Sequence, residues 1–306
     1  MKKVTEQLKN VGLKNAYTNN LKESYFEALK DPSFKLLVSK LKLSEETLMK
    51  YTSMLEDCSK DYDRCLKCKG LLECSNKLTG YAYMPKASDD KLEFNYIACR
   101  FQKKFIKDTS YLNNIYLFDV PKEIKEARMK DIFKDDDNRI DAILWLNNFI
   151  KNYDKEKKQK GLYLYGNFGC GKTYMIAAMF NELAKKGVKS AIVFWPEYLR
   201  DLKSSFQTDF KQKFEYIKKV PLLLIDDIGA ESTTEWGRDE IFCPIIQYRM
   251  QEQLPTFFTS NLDLKSLEVH FSITKDRVSD IKAKRIIERI EQLTEVQKMI
   301  SKNLRK

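Results

Sequence analysis

One short segment of the chain has the residue types and spacing of a phosphate-binding loop. Residues 166–173 read GNFGCGKT, a complete match to the pattern GxxxxGK followed by Ser or Thr. Glycines let the backbone turn its N–H groups toward phosphate oxygens, the lysine adds a positive charge, and the threonine hydroxyl suits Mg²⁺. The predicted nucleotide-binding residues are therefore Gly166, Asn167, Phe168, Gly169, Cys170, Gly171, Lys172 and Thr173.

Two acidic residues follow a short apolar run further along the chain. Residues 220–227 read VPLLLIDD, and a strand there would bring both carboxylates to the sheet edge beside the phosphates. We predict that Asp226 holds Mg²⁺ through water and that Asp227 orients the attacking water, with Glu231 as an alternative for the second role. Asn261 ends the next apolar run and is predicted to hydrogen-bond the γ-phosphate or that water.

Four clustered cysteines make a second candidate site. Cys65 and Cys68 form a CxxC pair, and Cys74 and Cys99 follow within the first hundred residues. Four thiolates are enough for one closed, tetrahedral zinc site of a structural kind. We predict a zinc ion held by Cys65, Cys68, Cys74 and Cys99, with Cys58 as a spare candidate for the fourth ligand. Free buried thiols are the alternative.

The composition excludes several classes of protein. The single histidine, His270, cannot build an HExxH zinc site or a histidine relay. The first ten residues, MKKVTEQLKN, lead into no apolar segment, so we expect no secretory signal. The longest apolar runs fall far short of the roughly 20 residues of a membrane span. We expect a cytoplasmic protein without a membrane partner, where clustered cysteines favour metal over disulfides.

Basic and aromatic residues are interleaved over residues 203–219, just before the VPLLLIDD segment. The chain carries a net charge of +11, which favours a polyanionic partner. Lysines interleaved with aromatic rings can follow a single-stranded nucleic acid and stack its bases, whereas an amphipathic helix with core aromatics is the alternative. The residues concerned are Lys203, Lys211, Lys213, Lys218 and Lys219 with Phe206, Phe210, Phe214 and Tyr216.

The elements that must position the phosphate loop are short apolar strands separated by helix-length segments. Such strands, buried on both faces, indicate a parallel α/β sheet. The predicted strands are Leu162–Tyr165, Ala191–Trp195, Leu222–Ile225 and Thr256–Thr259. The loop falls between the first strand and an amphipathic helix, Thr173–Lys186, which is the context that phosphate binding requires.

The chain, at 306 residues, is long enough for two domains. We predict a small, helical, zinc-binding N-terminal domain over residues 1–104, in which Lys91–Cys99 forms a strand. A basic, polar linker is predicted over 105–115, and an α/β P-loop ATPase domain with a parallel sheet over 116–306.

The motifs GLYLYGNFGCGKT, LLLIDDIGAE and LPTFFTSN, in this order, resemble the DnaC/DnaI-type family of AAA+ replicative helicase loaders. The resemblance implies an ATPase that binds the hexameric replicative DNA helicase, through its N-terminal domain, and delivers it onto single-stranded DNA. It also implies that Asn261 acts as the sensor 1 residue. Relatives have a GYHP segment where this chain has GYAYMP at 80–85, so one histidine that can bind zinc is missing.

The resemblance further suggests a residue that acts on a neighbouring subunit. Residues 283–290, AKRIIERI, resemble the box that supplies an arginine finger, which implies a homo-oligomer. Arg289 is the first choice and Arg285 the second, and the basic face of an amphipathic helix is the alternative.

Two other functions share the phosphate loop. A transposition-accessory ATPase of the IstB type would have the same ATPase half, but the cysteine-bearing N-terminal part argues against it. A small-molecule P-loop kinase would need a substrate lid with converging arginines, and none is apparent in the sequence.

Overall fold

The computed structural model describes residues 13–88, 91–134, 136–274 and 278–304, with side chains from residue 20 onward. It divides into two compact units, Met1–Ser110 and Tyr111–Lys306. The segment MKKVTEQLKN, predicted to carry no secretory signal, lies outside the described residues. Within the described ranges, no helix combines the length and apolar character needed to cross a membrane.

The first unit combines helices with one antiparallel hairpin. Its third helix begins after Ser44, whose hydroxyl accepts a hydrogen bond from the backbone N–H of Thr47. The predicted strand at 91–99 is confirmed as the second strand of the hairpin. The elements are α1 (Leu13–Ala28), α2 (Pro32–Ser39), α3 (Glu45–Met49), α4 (Thr52–Lys67), β1 (Tyr81–Ser88), β2 (Lys91–Ala98) and α5 (Arg100–Thr109).

The residues predicted to form a linker, 105–115, lie in regular elements. They include the end of α5, a 3₁₀ segment at Ser110–Asn114 and the first residue of the next strand. The apolar residues of α5, Phe101, Phe105 and Ile106, have helical spacing but form no buried face: the helix buries none of its residues, and Phe105 and Ile106 are about half exposed. That the two units act independently stays a prediction.

The second unit is built on a six-stranded sheet in which all the strands are parallel, in the order β3-β5-β6-β7-β4-β8. The strands are β3 (Ile115–Phe118), β4 (Gly161–Tyr165), β5 (Ser190–Phe194), β6 (Leu222–Asp226), β7 (Thr256–Ser260) and β8 (Thr294–Lys298). The helices around it include α6 (Lys122–Lys125), α7 (Ile140–Asn152), α8 (Lys172–Lys185), α9 (Trp195–Ser204) and α10 (Phe210–Lys219). A π-helical segment (Trp236–Phe242) precedes α11 (Cys243–Gln251), α12 (Leu264–Ser272) and α13 (Asp280–Leu293).

The predicted parallel α/β sheet is confirmed, but its two edge strands were not predicted. The four central strands are nearly fully buried, and this is why their apolar runs could be recognised. β8 reads TEVQK and is mostly exposed, and β3 is only partly buried. β8 lacks the continuous apolar run that identifies a central strand, whereas β3 has the run IYLF, which begins at the end of the predicted linker.

The chain continues from β8 across the phosphate loop. β8 pairs with β4, and the N–H of Met299 then donates to the carbonyl of Tyr165 at 2.7 Å. Residues 299–304, here called the tail segment, reach the loop itself, where the N–H of Leu304 donates to the carbonyl of Gly169 at 2.9 Å. At Gly166 a Cβ would lie 1.8 Å from the carbonyl oxygen of Met299, so only glycine fits there.

Candidate nucleotide-binding site

The phosphate loop connects β4 to α8 and borders a cavity of about 870 Å³. Its last glycine, Gly171, is the N-cap residue of α8 and has a φ of +88°, a left-handed conformation that favours glycine. The first N–H groups of α8 therefore face a site where phosphate is favoured. The cavity is lined by most of the predicted residues, namely Phe168, Gly169, Cys170, Gly171, Lys172, Thr173, Asp226, Asp227 and Asn261.

Lys172 joins the loop to the end of β7. Its buried Nζ donates to the carbonyl oxygens of Gly166 (3.0 Å) and Asn167 (2.9 Å) and to Oδ1 of Asn261 (2.9 Å). Two of the residues predicted independently, Lys172 and Asn261, are thus in direct contact. The lysine side chain is held at the loop, where a point charge can bind phosphate.

Asp226 lies beneath the loop with two hydroxyl groups on one of its oxygens. Oδ1 accepts hydrogen bonds from Thr173 Oγ1 and Thr259 Oγ1, both at 2.5 Å. Burial raises the pKa of the Asp226 carboxyl above its ordinary value. A buried carboxylate beside a threonine hydroxyl provides the oxygen ligands that Mg²⁺ prefers. Thr259 was not predicted. In the β6–β7 register Ile225 pairs with Phe258, so the next residues along the two strands, Asp226 and Thr259, lie side by side.

Asp227 has a left-handed backbone conformation, and both its N–H and its carboxylate are hydrogen-bonded. Its φ is +56°, its N–H donates to Thr259 Oγ1 at 2.9 Å, and its Oδ1 accepts a hydrogen bond from Nδ2 of Asn261 at 3.1 Å. Glu231, the alternative for orienting water, does not line this cavity. Its carboxylate accepts the N–H of Gly229 at 2.8 Å and lies 3.6 Å from Nε2 of His270. The geometry favours Asp227.

The two arginines predicted to act on a neighbouring subunit lie on α13. Neither lines the nucleotide cavity of its own chain. Arg285 is exposed, and the partly buried Arg289 donates through Nη1 to Cys243 Sγ at 2.7 Å. The apolar positions Ile286, Ile287 and Ile290 of the same helix are buried, as the amphipathic pattern predicts.

The lysine- and aromatic-rich segment forms α9, α10 and the turn between them. Its rings stack in sequence, with centroids 4.8 Å apart for Phe206 and Phe210 and 5.9 Å apart for Phe210 and Phe214. Phe206 is 55% exposed. Three of the lysines pair with carboxylates, namely Lys213, Lys218 and Lys219. The charge available to a polyanion is therefore smaller than the sequence suggests.

The four predicted zinc ligands line one cavity of about 310 Å³ in the first unit. Within the described residues, however, no three His, Cys, Asp or Glu side chains are grouped closely enough to hold a metal ion. Three of the sulfurs accept N–H hydrogen bonds, Cys65 from Asn76 and Cys74 and Cys99 from backbone amides. The structure does not confirm zinc, which stays a prediction.

Cys58, the spare candidate, is fully buried and does not line the cysteine cavity. Burial raises the pKa of its thiol to about 12, with nearby Asp61 and Asp57 acting in the same direction. Because Cys58 lies outside the cavity that the other four cysteines share, it is a poor candidate for the fourth ligand.

Comparison with known proteins identifies relatives over most of the chain. A family model of the bacterial DnaA ATPase domain matches residues 136–279. The replicative helicase loader DnaI of Bacillus subtilis (strain 168) is 36% identical over 254 residues, which cover 81% of this chain and 79% of DnaI.

Two solved structures share the fold. A crystal structure of DnaI has 46% sequence identity and a TM-score of 0.57, covering 64% of this chain and 99% of that one. A candidate primosome component from Streptococcus pyogenes serotype M3 has 34% identity and a TM-score of 0.56, covering 65% of this chain and all of the other. The chain has a phosphate loop whose Thr173 hydroxyl is hydrogen-bonded to Asp226, and it is 36% identical to DnaI over most of its length. The chain therefore belongs to the DnaI family of AAA+ replicative helicase loaders.

Proposed function

We propose that this chain is an ATP-dependent loader that binds the hexameric replicative DNA helicase and delivers it onto single-stranded DNA, at initiation or restart of replication. The observation that carries the proposal is the 36% identity to a replicative helicase loader over 81% of the chain. A replication role would be carried out in the cytoplasm, and we propose that location.

ATP would bind in the cavity beside the phosphate loop and be hydrolysed there. Lys172 would exchange its contacts with the loop carbonyls for the β- and γ-phosphates, while its neighbour Asn261 hydrogen-bonds the γ-phosphate or the attacking water. Asp227 would orient that water, since its carboxylate is already fixed by Asn261. Mg²⁺, held through Thr173 and Asp226, would neutralise the charge that develops on the phosphates.

A homo-oligomer would complete this site. Arg289, or failing that Arg285, would reach the nucleotide of a neighbouring subunit and stabilise the charge of the transition state. Their position outside the cavity of their own chain supports an action in trans.

Single-stranded DNA would bind along the turn between α9 and α10. The stacked rings of Phe206 and Phe210 offer a surface for bases, and Lys203 and Lys211 are exposed beside it. The ion pairs of the other lysines weaken the electrostatic part of this proposal.

Residues 1–104 would form the helicase-binding domain, folded around one structural zinc. The shared cavity of Cys65, Cys68, Cys74 and Cys99 supports this ligand set, and the N–H groups that point at three of the sulfurs are suited to thiolates. Binding of zinc would have to draw the four sulfurs closer together.

The decisive experiment is copurification with the replicative helicase of the same organism. The wild-type chain and Lys172→Ala are both expected to retain the helicase, because the interaction is assigned to the first unit, whereas only the wild type should transfer it to single-stranded DNA with ATP. Transfer should weaken as salt rises, since phosphate contacts release counterions. Failure of the wild type to retain any hexameric helicase would reject the loader function.

A further inference from the structure

The buried arginines of the second unit, with one exception, donate hydrogen bonds to neighbouring protein groups. Within the described residues three arginine side chains are almost completely buried, Arg139, Arg238 and Arg249. Arg249 donates to several backbone carbonyls and to Thr256 Oγ1, the last at 2.8 Å. Arg238 donates from Nε and Nη2 to the two carboxylate oxygens of Asp239, at 2.7 and 3.1 Å. The hydrogen bonds of these two guanidinium groups give both arginines a structural role in the fold.

Arg139 differs from both. Its Nε and Nη1 are buried and have no hydrogen-bond partner among the described residues. Burial also lowers the pKa of its guanidinium, with Cys170 and Asp136 acting in the opposite direction. A buried, charged donor without an acceptor destabilises a protein, and its presence indicates a partner that is not part of the chain.

The position of Arg139 suggests what that partner is. The residue precedes α7, and its side chain lines the cavity that also contains Lys172 and Thr173. A Cβ added to Gly171 would lie 3.1 Å from Nη2 of Arg139, so the guanidinium rests against the last glycine of the phosphate loop. Gly171 caps α8, at the end where the helix attracts anions.

We propose that Arg139 contacts the bound nucleotide and donates a hydrogen bond to one of its phosphate oxygens. A phosphate is the favoured acceptor because it supplies negative charge as well as lone pairs, and a buried guanidinium needs both. A ribose hydroxyl would satisfy the donors and leave the charge uncompensated. The proposal rests on the ATP site proposed above and adds to it a second positive charge.

The test is Arg139→Met, which keeps an unbranched apolar side chain and removes the charged guanidinium group. Thermal midpoints are measured without nucleotide, and dissociation constants are measured for ATP, ADP and 2′-deoxy-ATP with Mg²⁺. Without nucleotide the midpoint should stay level or rise, because an uncompensated buried charge is gone. The dissociation constants should all increase by about tenfold or more.

Arg249→Met is the matched control, because that arginine is just as buried but fully bonded. Its midpoint without nucleotide should fall clearly, while the affinity of the folded protein for ATP changes by less than about twofold. If Arg139→Met behaves like this control, Arg139 is structural and the proposal is wrong.

Comparing ATP with 2′-deoxy-ATP distinguishes a contact to the phosphates from a contact to the ribose. If wild type binds 2′-deoxy-ATP much more weakly than ATP and Arg139→Met removes that difference, the contact is to ribose and the phosphate assignment is wrong. If wild type binds neither ATP nor ADP, the proposed nucleotide site itself fails, and the role of Arg139 falls with it.

Discussion

The side-chain amide of Asn167 pairs with the backbone of Ser301 through two hydrogen bonds. Nδ2 donates to the Ser301 carbonyl at 2.6 Å, and Oδ1 accepts the Ser301 N–H at 3.1 Å. A residue inside the phosphate loop is thereby tied to the tail segment, 134 positions further along the chain. The variable position after the first glycine of the motif therefore has a defined structural task in this protein.

Asn167→Ala should weaken ATP binding without abolishing it. Loss of two hydrogen bonds, worth about 1 kcal/mol each, lets the loop leave its binding conformation, so affinity should fall by up to about 30-fold. Titration with a fluorescent ATP analogue measures this. Asn152→Ala, which removes an exposed contact to Asn148, should leave affinity unchanged. Equal affinity in the two variants would show that the tail segment does not support the loop.

Asp227→Asn should bind ATP and Mg²⁺ normally and lose turnover by about 100-fold or more, because positioning the water matters only in the transition state. Asparagine tolerates the positive φ of this residue, so the fold should survive. Steady-state ATPase assays and ATP titration separate the two effects.

Glu231→Gln is the control for this prediction, since Glu231 is engaged by Gly229 outside the cavity. It should keep most of the activity. The reverse result, an active Asp227→Asn and an inactive Glu231→Gln, would assign the water to Glu231.

The stability of the nucleotide-free protein should depend on pH through Asp226. Burial raises the pKa of this carboxyl above 3.8 in the folded protein. Its contribution to the free energy of unfolding is therefore complete below about pH 4, where the carboxyl is protonated, and is lost as the pH rises through the raised pKa. Asp226→Asn should therefore gain thermal stability relative to wild type between about pH 4 and 7. It should also lose the additional stability that wild type gains from Mg²⁺ and ATP.

Asp263→Asn gives the opposite sign in the same assay. The backbone N–H of Ser266 lowers the pKa of Asp263, which caps α12, so this carboxylate stabilises the fold at neutral pH and ceases to do so as the pH falls. Identical pH profiles for the two variants would contradict the role given to burial at Asp226.

Removal of metal should unfold the first unit if zinc is bound there. Metal analysis of the full chain, purified without chelator, should give one zinc per chain, and a strong chelator should lower its thermal midpoint. Cys65→Ser should lose the zinc, while Cys58→Ala should keep it. Less than half an equivalent in wild type would count against the site.

Mixing two inactive variants tests the arginine finger. Arg289→Ala lacks the finger and Lys172→Ala lacks a working nucleotide site, yet a mixed assembly can place an intact arginine against an intact site. ATPase activity should therefore reappear on mixing, and wild-type turnover should rise with protein concentration. If concentration matters and mixing restores nothing, Arg285 should be tested in the same way.

The parts of the site that could be predicted from sequence are those set by neighbours along the chain. Gly166–Thr173 and the Asp226–Asp227 pair stand in short contiguous motifs, so their strands and the loop could be placed together. Thr259, Arg139 and the tail segment reach the site through strand register and distant chain crossings. Thr259 lies within the LPTFFTSN motif, but only the strand register shows its role, and neither Arg139 nor TEVQK before the tail segment belongs to a motif.

The pairing of β8 with β4 has a consequence for the order of folding. The strand that enters the phosphate loop lies between β7 and β8, which are both synthesised much later, and the loop is then held by residues up to 304. Closing such long chain segments is slow compared with local helix formation. A nascent chain therefore has no finished ATP site until residue 304 has left the ribosome, and nucleotide can stabilise the domain only after the last strand has docked.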